Sequence, residues 1–219
     1  MIKMEIDNMK DEYNRFADEY EALNELADAI VAKMFIAKGL DPGKFVLLVH
    51  RKTGAFGYTT TRQIWPDANG VPHREVGISP VAFISLDEVM TTMAHEFVHC
   101  YDMDNNVKDC SNKCHNEHFK DVCDIIGLPC SLDENNPEFG FTTPSGHIPV
   151  FDEILASLSE KSQNTLKHLK SPYELRKKKE KKPKMRWVCP ACGQTFAGKP
   201  EMSVICGVCN VPFEYREID

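Results

Sequence analysis

Apolar positions recur along the first third of the chain in two rhythms. Between residues 8 and 38, Phe16, Tyr20, Leu23, Leu26, Ile30 and Met34 fall at three- and four-residue steps, which gives one apolar face. That spacing predicts a long helix, ended by Gly39 and Pro42. The rhythm then shortens. KFVLLVH, FGYTTTRQIW and HREVGIS read as strands, divided by the turn-rich stretches KTGA and PDANGVP, and they predict a small antiparallel sheet. From Leu86 the helical period returns, with Leu86, Val89, Met93, Phe97 and Cys100 on one face. Ser85 and Glu88 make a capping box at its start. A further helix follows in CHNEHFKDVCDIIGLP, where Phe119, Val122, Cys123 and Ile126 form the buried face and Gly127 and Pro129 close it. No repeat of solenoid type is present. The order of elements predicts an α+β fold.

The polar side of the helix from Leu86 carries H-E-F-V-H. At about 100° per residue, His95 and His99 lie one turn apart and roughly opposite the apolar stripe, with Glu96 at the border between the faces. One face anchors the helix while the other presents two imidazoles to a cleft. The acid is placed to reach a metal-bound water without ligating the metal. Five residues with three fixed matches also arise by chance in surface helices. The cap, the opposed stripe and the preceding sheet favour a catalytic zinc site.

Such a site takes three protein ligands and keeps one position open. The long metzincin pattern needs glycine at 102 and histidine at 105, where this chain has Asp102 and Asn105. In the next helix Glu117 points away from the buried side and His118 lies at its margin. His115, one turn before Phe119, is on the inward side. His115 is therefore the expected third ligand, with His118 as the alternative. Asp102 reads as a carboxylate orienting a ligand histidine or as a solvated acid. Cys100 and Cys123 read as core, while Cys110 and Cys114 are placed to compete for the metal.

The cysteines near the C-terminus carry a second signal. Cys189 and Cys192 form C-P-A-C, Cys206 and Cys209 form C-G-V-C, and thirteen residues separate the pairs. Two such knuckles suit a closed tetrahedral zinc site. The 33 residues from 187 to 219 are too few for a core of their own, so the metal would hold them folded. A thioredoxin-like redox role would need one C-x-x-C in a βαβ setting, which is missing. Two zinc ions per chain are expected, one catalytic and one structural.

Composition adds bounds. With 42% hydrophobic and 27% charged residues the chain can build a globular core. MIKMEIDNMK lacks an apolar signal region, and the most apolar windows, AIVAKMFIA and KFVLLV, are too short to span a bilayer. An intracellular monomer without membrane contact is expected, and nine cysteines there suit metal ligands or buried thiols better than disulfides. The net charge of −7 hides an asymmetry. Residues 176 to 186, RKKKEKKPKMR, hold eight Lys/Arg and one Glu and carry +7, which leaves −14 on the rest. Arg176, Lys177, Lys178, Lys179, Lys181, Lys182, Lys184 and Arg186 are thus candidate phosphate contacts, in DNA that is duplex or single-stranded. The bland reading is a solvated, self-repelling linker. The organisation expected is a first domain over 1–171, with an extension from about 131, then a basic linker over 172–186 and a zinc ribbon over 187–219.

H-E-F-V-H, followed sixteen residues after His99 by His115 in C-H-N-E-H-F, resembles the SprT-like (Spartan-like) metalloprotease family. The preceding run GISPVAFISLDEVMTTMA and the paired cysteines near the end add to the likeness, which covers roughly residues 15 to 128 and 187 to 213. Cys114 and Asn116 stand where that family has glycines around its third histidine. The resemblance implies a zincin-like core and a protease acting on proteins bound or crosslinked to DNA. On that reading His95, His99 and His115 hold zinc, Glu96 takes a proton as water attacks a carbonyl, and an edge strand pairs with an extended peptide. Two rivals stand beside it. One is a non-catalytic, zinc-stabilised nucleic-acid-binding regulator, which would have no use for Glu96. The other is a metalloprotease cleaving a soluble regulator without DNA.

Overall fold

The computed structural model describes residues 17–50, 54–111, 114–134, 137–170 and 184–218. Two compact units divide between Leu175 and Arg176. The first is mixed α+β. It opens with helix α1 over residues 17–30, which widens into a π-helical stretch, Val31–Phe35, and tightens into a 3-10 turn, Ile36–Lys38. Leu23, Leu26, Ile30 and Met34 form its buried stripe, and Gly39 ends it at φ 77°. The stripe alone suggests one uninterrupted helix to residue 38. The backbone changes pitch instead, and neighbouring Met34 and Phe35 are both buried there. Residues 8–16 of the expected helix lie outside the described residues.

Four strands follow: β1 (Phe45–Val49), β2 (Gly57–Thr59), β3 (Trp65–Pro66) and β4 (Pro72–Ile78). The sheet is mixed, which corrects the antiparallel expectation. β4 lies inside it, parallel to β1 on one side and antiparallel to β2 and β3 on the other. Alternating apolar residues mark strands but carry no direction, and the two short intervening strands let the chain re-enter the sheet in the direction of β1. FGYTTTRQIW is two strands rather than one. Between them the chain bows outward, and the Arg74 guanidinium holds the bow by donating to the Thr61 carbonyl at 2.7 Å and to Asp104 Oδ1 at 2.8 Å.

Helix α2 (Leu86–Asp104) begins at Ser85, whose hydroxyl accepts from the Glu88 N–H at 3.0 Å. Val89, Met93, Phe97 and Cys100 are buried, as the stripe implies, but so are Thr91, Thr92, Glu96, His99 and Asp102. The helix is therefore covered on both sides, by the stretch Val31–Phe35, β2 and β4 and by the elements that follow. These are the ribbon β5 (Cys110–Ser111) with β6 (Cys114–His115), then α3 (Glu117–Ile126), then β7 (Ser131–Leu132) with β8 (Phe141–Thr142). Asn116 caps α3 by accepting from the Phe119 N–H, and Gly127 ends it in the left-handed region. Helices α4 (Pro149–Ser157) and α5 (Glu160–His168) return to α1. Phe151 and Ile154 enter the core, and Glu25 on α1 accepts from both the N–H and the hydroxyl of Ser159 at the start of α5.

The second unit is a three-stranded antiparallel sheet, with β9 (Lys184–Val188) between β10 (Thr195–Phe196) and β11 (Glu214–Ile218). Trp187 is buried among Phe196 and Tyr215. Among the described residues no helix is long and apolar enough to cross a membrane.

Candidate metal centre

His95 and His99 leave α2 one turn apart, and β6 brings His115 across to meet them. One ring nitrogen from each lies within 4.8 Å of the others. Phe119, fully buried one turn into α3, floors the cluster at 4.8, 5.1 and 4.2 Å from the rings of His95, His99 and His115.

Each imidazole is oriented through its Nδ1. His115 Nδ1 donates to the Phe141 carbonyl at 2.8 Å, and because a carbonyl only accepts, the lone pair of that ring is on Nε2. His99 Nδ1 contacts the Asp109 carboxylate, with the same consequence. His95 Nδ1 meets the Thr143 hydroxyl at 2.9 Å. The Nε2 atoms of His99 and His115 then face each other at 3.3 Å. Two lone pairs at that distance repel unless a proton or a metal cation lies between them. This donor set fits a metal ion, and the oriented Nδ1 atoms are the support that metal-binding histidines ordinarily have.

Gly140 explains how β6 approaches so closely. It sits at φ 64°, and a Cβ there would lie 2.2 Å from the His115 carbonyl oxygen. Only glycine allows His115 to bridge to that segment.

The electrostatics are uneven. Desolvation drives His95 well below the ordinary histidine range, and neighbouring His99 and His115 push the same way. Desolvation lowers His115 too, with His99 adding to it. Burial also opposes charge on His99, but the Asp109 carboxylate and Glu96 outweigh it and raise its pKa. Burial raises Glu96, against the pull of His99 and of a hydrogen bond from Thr59. That bond runs from Thr59 Oγ1 to Glu96 Oε2 at 2.9 Å. Glu96 is thus a buried acid held against β2.

Asp102 fits neither of its two expected roles, a carboxylate orienting a ligand histidine or a solvated acid. It is wholly buried, and its Oδ1 accepts from His118 Nε2 at 2.9 Å instead of orienting His95 or His99. His118 is engaged there and stays out of the three-histidine cluster. Cys110 joins a second close group with His99 and Asp109, and burial together with Asp109 pushes its thiol up to about 11. Asp109, Thr143 and the Phe141 carbonyl orient the three imidazoles, and the sequence did not signal them.

Cys189, Cys192, Cys206 and Cys209 come together in the second unit, with ligand atoms within 4.8 Å of one another. Backbone N–H groups of Cys209 and Val208 point at Cys206 and bring its thiol down to about 7. Four sulfurs so placed can hold a metal ion. Of the basic run, Arg176, Lys177, Lys178, Lys179, Lys181 and Lys182 lie outside the described residues. Lys184 begins β9, and Arg186 is exposed on it, directly opposite exposed Arg216 on β11. Compared with protein-family models, with curated proteins and with solved structures, the chain matches none.

Proposed function

We propose that the protein is a zinc-dependent metalloendopeptidase with a zincin-like core of the SprT-like kind. One observation carries this reading: three imidazoles converge with their Nδ1 atoms already committed, beside a buried carboxylate that a purely structural site would not need. Three neutral imidazoles are a donor set of hydrolytic zinc centres, and four thiols that of structural ones. Bound at His95, His99 and His115, zinc would acidify a water and polarise a substrate carbonyl.

The remaining work falls to the chain. Glu96 takes the proton of the attacking water and returns it to the leaving amine. Burial lifts its pKa, which suits a group that must both accept and release a proton. The β2 strand provides the docking edge. Phe56 O accepts from Ser79 N and Thr60 N donates to Glu75 O, so the even-numbered residues pair with β4. Among the described residues no strand pairs with the far side of β2, so the N–H and C=O of Gly57 and Thr59 face an open edge, where an extended peptide of almost any sequence can pair. DNA-bound proteins are the proposed substrates. Support for that comes from the basic run leading into β9 and from the Arg186 and Arg216 pair.

Glu96→Gln keeps the shape of the acid and removes its basicity. It should retain full zinc content and lose cleavage by about 10²–10⁴-fold. In the same assay His115→Ala should lose metal from this site while His118→Ala keeps it. Unchanged cleavage by the Gln variant would reject the mechanism, and the reverse histidine pattern would move the ligand to His118.

A further inference from the structure

We infer that Gly57 and Thr59 form a socket for Glu96, with Thr59 a positioning residue that couples peptide docking to the general base. The inference rests on the peptidase reading and adds to it. Both oxygens of the Glu96 carboxylate are addressed by one short strand. Oε2 receives the Thr59 hydroxyl at 2.9 Å, and the same hydroxyl lies 3.1 Å from the Glu96 backbone carbonyl. Oε1 lies over Gly57, where a Cβ would be 2.7 Å from it, 2.7 Å from Thr92 Cγ2 and 2.9 Å from Glu96 Cγ. No side chain fits between the strand and the acid. The missing Cβ makes room for one oxygen and the hydroxyl holds the other.

The register gives the socket its second property. Residues 57 and 59 turn their side-chain positions toward α2 and their backbone N–H and C=O groups toward the open edge. A peptide that pairs with that edge hydrogen-bonds to the same two residues that hold Glu96. Substrate binding and orientation of the base therefore share one element only three residues long. A buried carboxylate lacking the Thr59 bond keeps its place in the sequence but not its aim. Misaim of that kind is a loss in the chemical step rather than in binding.

The test uses the full chain loaded with zinc, an unfolded casein as substrate, and the variants Thr59→Val, Thr59→Ser and Gly57→Ala. Zinc content and thermal melting report whether each variant is folded. Thr59→Val should lower kcat by roughly 10- to 100-fold with KM unchanged, and Thr59→Ser should restore it. Gly57→Ala should lower kcat in the same way by displacing Oε1. An independent readout is the infrared carboxylate stretch assigned to Glu96 by subtracting the spectrum of Glu96→Gln. It should shift in Thr59→Val and stay in place in Thr59→Ser. The inference is overturned if Thr59→Val keeps its kcat, if it raises KM alone, or if the serine variant is as impaired as the valine one. Should the zinc-loaded wild type cleave nothing, the peptidase reading fails and takes the coupling to peptide docking with it. An active wild type with an indifferent Thr59 overturns this inference alone.

Discussion

Asp109 shows how much the aim of a candidate ligand histidine depends on the residue behind it. It is buried, and contact with His99 holds its carboxyl below the ordinary range although burial pushes the other way. A carboxylate on Nδ1 fixes the tautomer and makes Nε2 a better donor. Asp109→Asn preserves the volume and removes the charge, so affinity of the three-histidine site for zinc should fall by about 10- to 100-fold. Competition against a chromogenic chelator measures this, and an unchanged affinity would reduce Asp109 to a packing residue. His95, Glu96 and His99 were legible because a helix repeats, and a motif on one face can be weighed against the stripe on the other. Asp109 and Thr143 were not. Each lies in a stretch without period, and its partner is set by how distant segments dock, as the 48-residue separation of His95 and Thr143 illustrates.

At the scale of elements, hydrophobic rhythm located β1, β2 and β4, but the antiparallel sheet expected of them does not hold for β1 and β4. β1 and β4 are parallel because β2 and β3 intervene, a matter of topology that no alternation of side chains encodes. Helix α2 shows the converse limit. Its polar face is as buried as its apolar one, since later segments cover it, so amphipathic patterning understated how central it is. Among the described residues the small three-stranded unit buries few apolar groups besides Trp187 and Val188, so a metal held by its four cysteines is expected to keep it folded. Metal analysis should accordingly give about two zinc equivalents per chain. Cys189→Ser should remove one of them and shift Trp187 emission to the red as β9 loosens, while the three-histidine site stays loaded. One equivalent in the intact protein would contradict two separate centres.

For the whole molecule, charge is the feature that distance does not hide. The described part of the basic run enters β9, whose register sets Arg186 directly across from Arg216. Like charges in that arrangement repel unless an anion lies near both. Phosphates are suited to that place. Binding to duplex DNA should be independent of sequence, with a log–log salt slope no steeper than about −7 from the eight basic residues of the run. Glutamine in place of its lysines should weaken binding and flatten the slope, and Arg216→Gln alone should reduce it by about one. If these variants and the wild type bind alike across a salt titration, the run is a spacer. The dependence of His95 and His115 on Thr143 and Phe141 has a consequence for the chain as it is made. A ribosome that has released residues up to 128 has delivered all three clustered histidines and Glu96, yet only one of the three partners that aim the imidazoles. The three-histidine cluster takes its final aim only when the segment beyond Gly140 has arrived, so a growing chain carries these imidazoles unaligned until the core around them is nearly complete.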